Sequence, residues 1–312
     1  MKIIPVKVDD KQMESMPFGD ISFPVDSWDD VFDSFIDETL NCHWHPEFEF
    51  GVLMSGSLDY NVGGIHMKMN EGDAIFINSN TMHTAKKAKG GHGAVIKGVG
   101  FPASLFADSP SSTIYKKHFE PVITSNMQGF IIPQDSEHSG EFVSNILKVN
   151  TLNRSEFAYE LKCMSIISKL WESTISYINS NDPELLKSKG NRKYEMRAKE
   201  ILSYIHENFS ESITVDRLSK HANISRTECF RSFKQFTNKK PVEYINEYRL
   251  YRAAKMLMES GLSITEIALK CGYNNSAYFG KQFKKAYGVS PGNYRQPSLR
   301  GAKRRGNPDA AL

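Results

Sequence analysis

The sequence is poor in everything that would take it away from ordinary water-soluble folding. Its four cysteines, Cys42, Cys163, Cys229 and Cys271, stand far apart among 312 residues with no paired spacing. That suggests neither a disulfide framework nor a cysteine-built zinc site and leaves them as small core residues. No apolar run approaches the roughly 18 residues that a membrane-crossing helix needs, so no membrane partner is expected. The opening MKIIPVKVDDKQME carries charges where a signal peptide has its apolar stretch, and the expected location is cytoplasmic.

A large net charge is missing too, yet the total of +3 hides a segregation. Residues 192–312 hold 23 Lys and Arg against 11 Asp and Glu, whereas residues 1–191 hold 16 against 25. Cations scattered over helix faces serve solubility; cations gathered in one half of a chain suit phosphate neutralisation, because released counterions drive association with nucleic acid. The length predicts about two domains, and a hydrophobic content of 40% is enough for ordinary cores.

The chain divides into three by pattern. Residues 1–132 carry short alternating or apolar runs such as FEFGVLMSGSLDYNV and GDAIFIN, broken by Gly, Asn, Ser and Pro, with Val62-Gly63-Gly64 between two hairpin arms; this is a strand pattern. Over 133–180 the period lengthens to three and four. Phe142, Ile146 and Val149, then Phe157, Leu161, Met164, Ile167, Leu170 and Trp171, mark two helices. The polar stretch 181–194, with Pro183 and Gly190, is the linker. The expected fold is multidomain α+β: an N-terminal β-barrel with trailing helices and an all-α C-terminal domain.

That last domain, 195–296, says one thing twice. Val215 to Asn223 is echoed by Ile264 to Gly272 at an offset of 49 residues, and Cys229, Phe233 and Pro241 by Phe279, Phe283 and Pro291 at an offset of 50. Each copy reads as two short amphipathic helices around a tight polar turn, a helix-turn-helix, and two in tandem suit successive major grooves of duplex DNA. Cys229 with Phe233, and Phe279 with Phe283, lie four apart and define the core faces. Thr227, Phe230, Arg231 and Lys234, and in the second copy Ser276, Ala277, Gly280, Lys281 and Lys284, then fall on other faces. Arg231 has the geometry to meet a guanine in bidentate fashion, and Phe230 a thymine methyl. Phosphate positioning alone is the other reading of the second set. Thr214, Ser225, Ser263 and Asn274 or Asn275 precede the helix starts as caps. Residues 297–312, with Lys303-Arg304-Arg305, are expected to form a flexible basic tail.

In the front half, His43, His45 and Glu49 share one parity on a strand, and a second strand pair can bring His83 to the same spot. Three imidazoles and a carboxylate have the chemistry to hold a first-row divalent metal. They also have the chemistry to hydrogen-bond a small polar ligand in a barrel mouth, or to form a closed internal network. Trp44, Phe48 and Phe50 have the opposite parity and are expected to pack outside the strand, while Tyr60 and Trp28 are candidate aromatic platforms.

The spacing His-x-His-x3-Glu-x6-Gly, ending at Gly56, resembles the first cupin motif, and Gly72 with His83 resembles the second. Asn78, Asn80 and Lys87 stand where Pro, Gly and Asn are common there. Residues 195–296 resemble the DNA-binding domain of AraC-type transcription regulators. The resemblance runs through Ala198, Ile201 and Ile205, through Tyr248-Arg249-Leu250 and Ala253-Ala254, and through Gly272-Tyr273 to Gly288-Val289-Ser290-Pro291 and Tyr294-Arg295. It implies that 1–132 is an effector-sensing cupin-like barrel, that 133–180 serves dimerisation, and that the reader residues are those named above. A promoter activator working with RNA polymerase, as a homodimer and without enzymatic activity, is the implied function. The acidic front half disfavours phosphate-rich ligands, and a neutral sugar suits convergent donors and acceptors. A carbohydrate-like effector held by His43, His45, Glu49, Tyr60 and His83 is therefore expected. The competing classes are a metal-dependent cupin enzyme fused to a DNA-binding unit, and an architectural DNA-binding protein with an inert barrel.

Overall fold

A computed structural model of the chain describes residues 23–89, 93–107, 109–182, 184–187, 193–237 and 239–295. The expected tail lies outside these residues, as do positions 183 and 188–192 of the expected linker. Two compact units are present, the first ending at Met196 and the second starting at Arg197.

In the first unit nine strands form two antiparallel sheets: β1 (Asp26–Val31), β2 (Thr39–His43), β3 (Phe48–Ser55), β4 (Ser57–Val62), β5 (Ile65–Asn70), β6 (Ala74–Ile77), β7 (His83–Lys87), β8 (Val95–Phe101) and β9 (Gly129–Ile132). The orders are β1-β8-β3-β6-β9 and β2-β7-β4-β5. Leu53, Ile75 and Ile96 of one sheet pack with Leu58, Tyr60 and Met69 of the other, so the inner faces enclose a barrel interior. Strand alternation sends Phe48, Phe50, Phe76 and Phe101 the other way, where all four are fully buried. There they meet Trp171 at ring-centroid distances of 4.4–6.1 Å for Phe48, Phe76 and Phe101.

Helices α1 (Glu120–Thr124), α2 (Ser139–Thr151) and α3 (Tyr159–Asn181) supply the cover. Ile167, Leu170 and Trp171 of the apolar stripe on α3 are spent on this outer core, and of that stripe Leu161 is the residue left exposed, at 70%. Phe157, just before α3, is 96% exposed. The strand pattern expected throughout 1–132 fails between β8 and β9. Residues 103–105 and 115–124 are helical turns, because Pro102, Pro110 and Pro121 lack the N–H that a ladder needs.

The second unit is helical: α4 (Lys193–Asn208, which starts in the first unit), α5 (Val215–His221), α6 (Arg226–Thr237), α7 (Pro241–Glu259), α8 (Ile264–Lys270), α9 (Ser276–Tyr287) and α10 (Pro291–Arg295). α5 with α6 and α8 with α9 are the two helix-turn-helix copies, and α7 joins them. Their turns use the left-handed region at equivalent places, Asn223 (φ 51°) and Gly272 (φ 77°). At Gly272 a Cβ would stand 2.9 Å from the Phe209 carbonyl oxygen and from the Arg249 guanidinium. That guanidinium donates from Nε to the Phe209 carbonyl (2.7 Å) and from Nη2 to that of Glu211 (2.6 Å), tying α7 to the chain after α4.

Candidate functional site

On α6 and α9 the apolar spacing fixes which face turns outward. Cys229, Phe233, Phe279 and Phe283 are fully buried. Thr227, Phe230, Arg231 and Lys234 are exposed on α6, and Ser276, Ala277, Lys281 and Lys284 on α9. Gly280 is half-buried, with open space where a Cβ would project. Tyr278, 54% exposed beside Ala277, is a further aromatic on this surface. Its place two residues from Gly280 and one from the core Phe279 was the signal available for it.

The reader helices begin on side-chain caps. Ser225 Oγ accepts from the Glu228 amide at 3.2 Å, and Asn275 Oδ1 from the amides of Ala277 (2.8 Å) and Tyr278 (2.9 Å). Asn275, not Asn274, is therefore the cap of α9. A cap fixes where the helix starts and so which residues stand in its first turn, the part that enters a groove. Arg231→Ala is expected to lose about 1 to 3 kcal/mol of binding at one or two base positions if the guanidinium meets a base edge. Affinities for single-base operator variants measure this, and a uniform loss over all of them would make Arg231 a phosphate contact.

The barrel brings His43, His45, Glu49 and His83 together: one ligand atom from each lies within 4.8 Å of all the others, and all four side chains are buried. The local chain explains how. His43 is the cross-strand partner of His83 at the end of the β2–β7 ladder. The loop before β7 is clasped to the loop before β3, with Asn80 N–H donating to the His45 carbonyl (2.8 Å) and Ser79 Oγ to that of Pro46 (2.6 Å). Asn80 reaches this contact at φ 55°, which its short polar side chain tolerates where glycine is common. Asn78 Nδ2 ties the same loop to the carbonyls of Val122 and Met127.

Glu49 Oε2 lies 3.1 Å from His45 Nε2 and 3.2 Å from His83 Nε2. Burial raises the Glu49 carboxyl, but the charges and hydrogen bonds of His83 and His45 outweigh it and leave it well below the usual carboxylate range. Burial, then the charge of His43, lowers His83 against the opposing pull of Glu49. Tyr60 is buried on the inner face, and burial, then the charges of Glu49 and Asp30, raises its hydroxyl far above 10; it is a neutral donor. Trp28 lies over Gly98, its cross-strand partner, where a Cβ would fall 2.3 Å from the indole. The glycine is what leaves room for this half-buried ring.

Two groups near the cluster escaped sequence reasoning. Glu47, of the same parity as its neighbours, places Oε2 3.5 Å from His45 Nδ1. Glu195, buried in the first turn of α4 and within the first unit, accepts from the Met82 amide at 3.1 Å, one residue before His83. No periodicity signals a contact across 113 residues.

Comparison with known proteins joins the two halves. Residues 32–142 match the family model described as an AraC-like ligand binding domain, and residues 218–297 match one described as a helix-turn-helix domain. The chain belongs to the AraC family of transcription regulators. Among its relatives, an uncharacterised helix-turn-helix regulator of Bacillus subtilis, YdeC, is 24% identical over 294 residues, spanning 93% of this chain and 97% of that one. The melibiose operon regulatory protein of Escherichia coli is 22% identical over 262 residues, 82% of this chain and 83% of that one. A crystal structure of an AraC-type regulator from Chromobacterium violaceum is 27% identical, covers 35% of this chain and 96% of that chain, and has a TM-score of 0.32. As an AraC-family regulator the chain pairs a DNA-binding helix-turn-helix domain with a ligand-binding domain. Among the described residues no helix is long and apolar enough to cross a membrane.

Proposed function

We propose that this AraC-family protein is a cytoplasmic promoter activator. In this reading it contacts duplex DNA through α6 and α9 and responds to a small carbohydrate-like effector in its barrel. The observation that carries it is the pairing of two capped helices, each with a buried aromatic or thiol row and an outward polar and cationic row, with a barrel interior whose polar groups converge. Neutral sugars need both donors and acceptors and an apolar ring platform. Tyr60 supplies a hydroxyl, Glu49 an ionised acceptor and Trp28 a ring over Gly98. A homodimer joined through the exposed end of α3, where Phe157 and Leu161 lie bare, would place two reader pairs on one operator. Activation would add RNA polymerase as a partner.

The test is binding of the full chain to fluorescent DNA from upstream of its own and neighbouring genes, with and without a sugar panel. His45→Ala and Glu49→Ala are expected to weaken the effector response by roughly 1 to 3 kcal/mol of effector affinity, since each leaves a buried partner unpaired. DNA affinity without effector should be unchanged. If no sugar alters DNA binding while another compound does, the carbohydrate assignment is wrong and the regulator assignment stands.

A further inference from the structure

We propose that α9 reads its segment of the major groove through thymine methyl groups, with Ala277 as the side chain in contact and Gly280 as the gap that lets the helix approach. The inference rests on the DNA-binding reading above and adds to it what the second reader helix recognises.

The two copies differ where they should be equivalent. At the offset of 50 residues Thr227 answers to Ala277, Phe230 to Gly280, Arg231 to Lys281 and Lys234 to Lys284. These positions stand three, four and seven apart and so form one stripe along each helix. On α6 the stripe carries the ring of Phe230, 38% exposed; on α9 the same place is bare. Gly272 and Gly288 on either side of α9 have positive φ, but Gly280 does not, and a Cβ on it would meet nothing within 4 Å. A glycine inside a helix costs stability, and neither the backbone nor the packing of the protein calls for one here. Close approach of the helix backbone to a ligand is the remaining use of such a residue.

What α9 offers a base edge follows from the order of its residues. The first turn of a reader helix enters the groove, and the Asn275 cap, bonded to the amides of Ala277 and Tyr278, fixes Ala277 in that turn. Ser276 both donates and accepts, so it suits any base and discriminates little. Ala277, exposed, makes no hydrogen bond through its side chain, and the feature of the major groove that rewards an apolar contact is the C5 methyl of thymine. Gly280, one turn on, leaves room for that methyl against bare backbone. Tyr278 is held beside the stripe rather than on it, its ring 6.3 Å from that of Tyr273. Lys281, Lys284 and Lys285 are exposed further along a helix that carries no acidic residue. A lysine is a point charge on a flexible stem, which suits phosphates on the groove wall.

In the experiment the full chain selects duplexes from a randomised library, and the selected duplex is remade with deoxyuridine for thymine, which removes the methyl and nothing else. Arg231→Ala marks the segment of α6 as the one whose base preference it changes. The other segment should contain thymines, and each one in contact should lose about 4-fold in affinity as deoxyuridine, the factor for burying one methyl-sized group. Ala277→Gly should bind the thymine and deoxyuridine forms of that segment equally. Gly280→Leu should also abolish the difference, by holding α9 off the groove floor. Lys281→Gln should weaken every duplex alike and lower the salt slope by about one. Should a variant fail to fold, judged by circular dichroism, the deoxyuridine series on the wild type decides. Wild-type tolerance of deoxyuridine in the segment of α9, or full sensitivity in a folded Ala277→Gly chain, overturns the proposal. So does a preference for guanine there that Lys281→Gln relaxes. Enrichment of no duplex at all would instead remove the DNA-binding reading, and this proposal with it.

Discussion

Inserting five base pairs between the two groove segments of the operator is expected to abolish specific binding by this protein. The two reader helices are not independent modules on a string. α7 runs 19 residues from Pro241 to Glu259, roughly 28 Å at 1.5 Å per residue, and buries Tyr244, Ile245, Tyr248, Leu250, Ala253, Ala254 and Leu257 along its length. Such a helix cannot bend to follow a displaced site. Five base pairs rotate one segment by about half a turn, so that only one of α6 and α9 finds a groove. The loss should reach roughly 4 kcal/mol, the lower end of the gap between specific and non-specific binding, at one fixed salt concentration because phosphate contacts dominate the salt slope. Ten inserted base pairs restore the rotational phase but separate the segments by a further helical turn, and a rigid α7 makes that operator as poor as the first. Anisotropy competition with the three operators measures all of this. Undiminished binding after five base pairs would mean that one unit reads DNA alone, and rescue by ten would mean that the linkage is flexible.

The back half was readable because its signals are local. A 3.6-residue period, a cap and a turn residue lie within a dozen positions of one another, so Ser225, Asn223, Cys229 and Phe233 could be given places without knowing what they touch. The repeat even told which positions are equivalent, and the two left-handed turn residues fall at the same offset.

The barrel was readable in part. Parity alone put His43, His45 and Glu49 on one face, and a strand-to-strand partner was needed for His83. What orients those imidazoles was invisible, because the groups on His43 and His83 are the backbone carbonyls of Asn41 and Thr81. A carbonyl leaves no trace in residue identity. The stripe on α3 was also readable only in part. Its apolar count was read correctly, but a sequence does not tell how wide a surface the barrel offers, and Phe48, Phe76, Phe101 and Phe119 together reach far enough to bury Trp171. Of the stripe, Leu161 stays exposed and Met164 half-buried, with the exposed Phe157 flanking them.

The DNA-binding unit should lose stability sharply on mild acidification, through one residue. His206 on α4 is buried against α7. It shares a hydrogen bond with Tyr244 Oη at 2.9 Å, and its ring lies 4.1 Å from that of Tyr248. Burial, and next the charge of Arg252, hold its pKa down at about 3, against 6.5 for a free imidazole. Between those values the unfolded chain carries a proton on His206 that the folded chain does not, so stability rises with pH there. The contribution is complete above pH 6.5, declines as pH falls below it, and stops declining near pH 3. At pH 5 the deficit is about 2 kcal/mol, and at pH 3 it approaches roughly 4 to 5 kcal/mol. Carboxylates elsewhere titrate over the lower part of the same range, so the measurement must isolate this one group. Urea unfolding of the full chain followed by far-ultraviolet ellipticity, for the wild type and His206→Gln at pH 7 and pH 5, does so by double difference. The variant should be the less stable protein at pH 7, because it loses the contacts with Tyr244 and Tyr248. At pH 5 about 2 kcal/mol of that handicap should vanish, since glutamine takes up no proton on unfolding. A handicap of the same size at both pH values would mean that His206 is already protonated in the folded protein, and that its burial costs nothing.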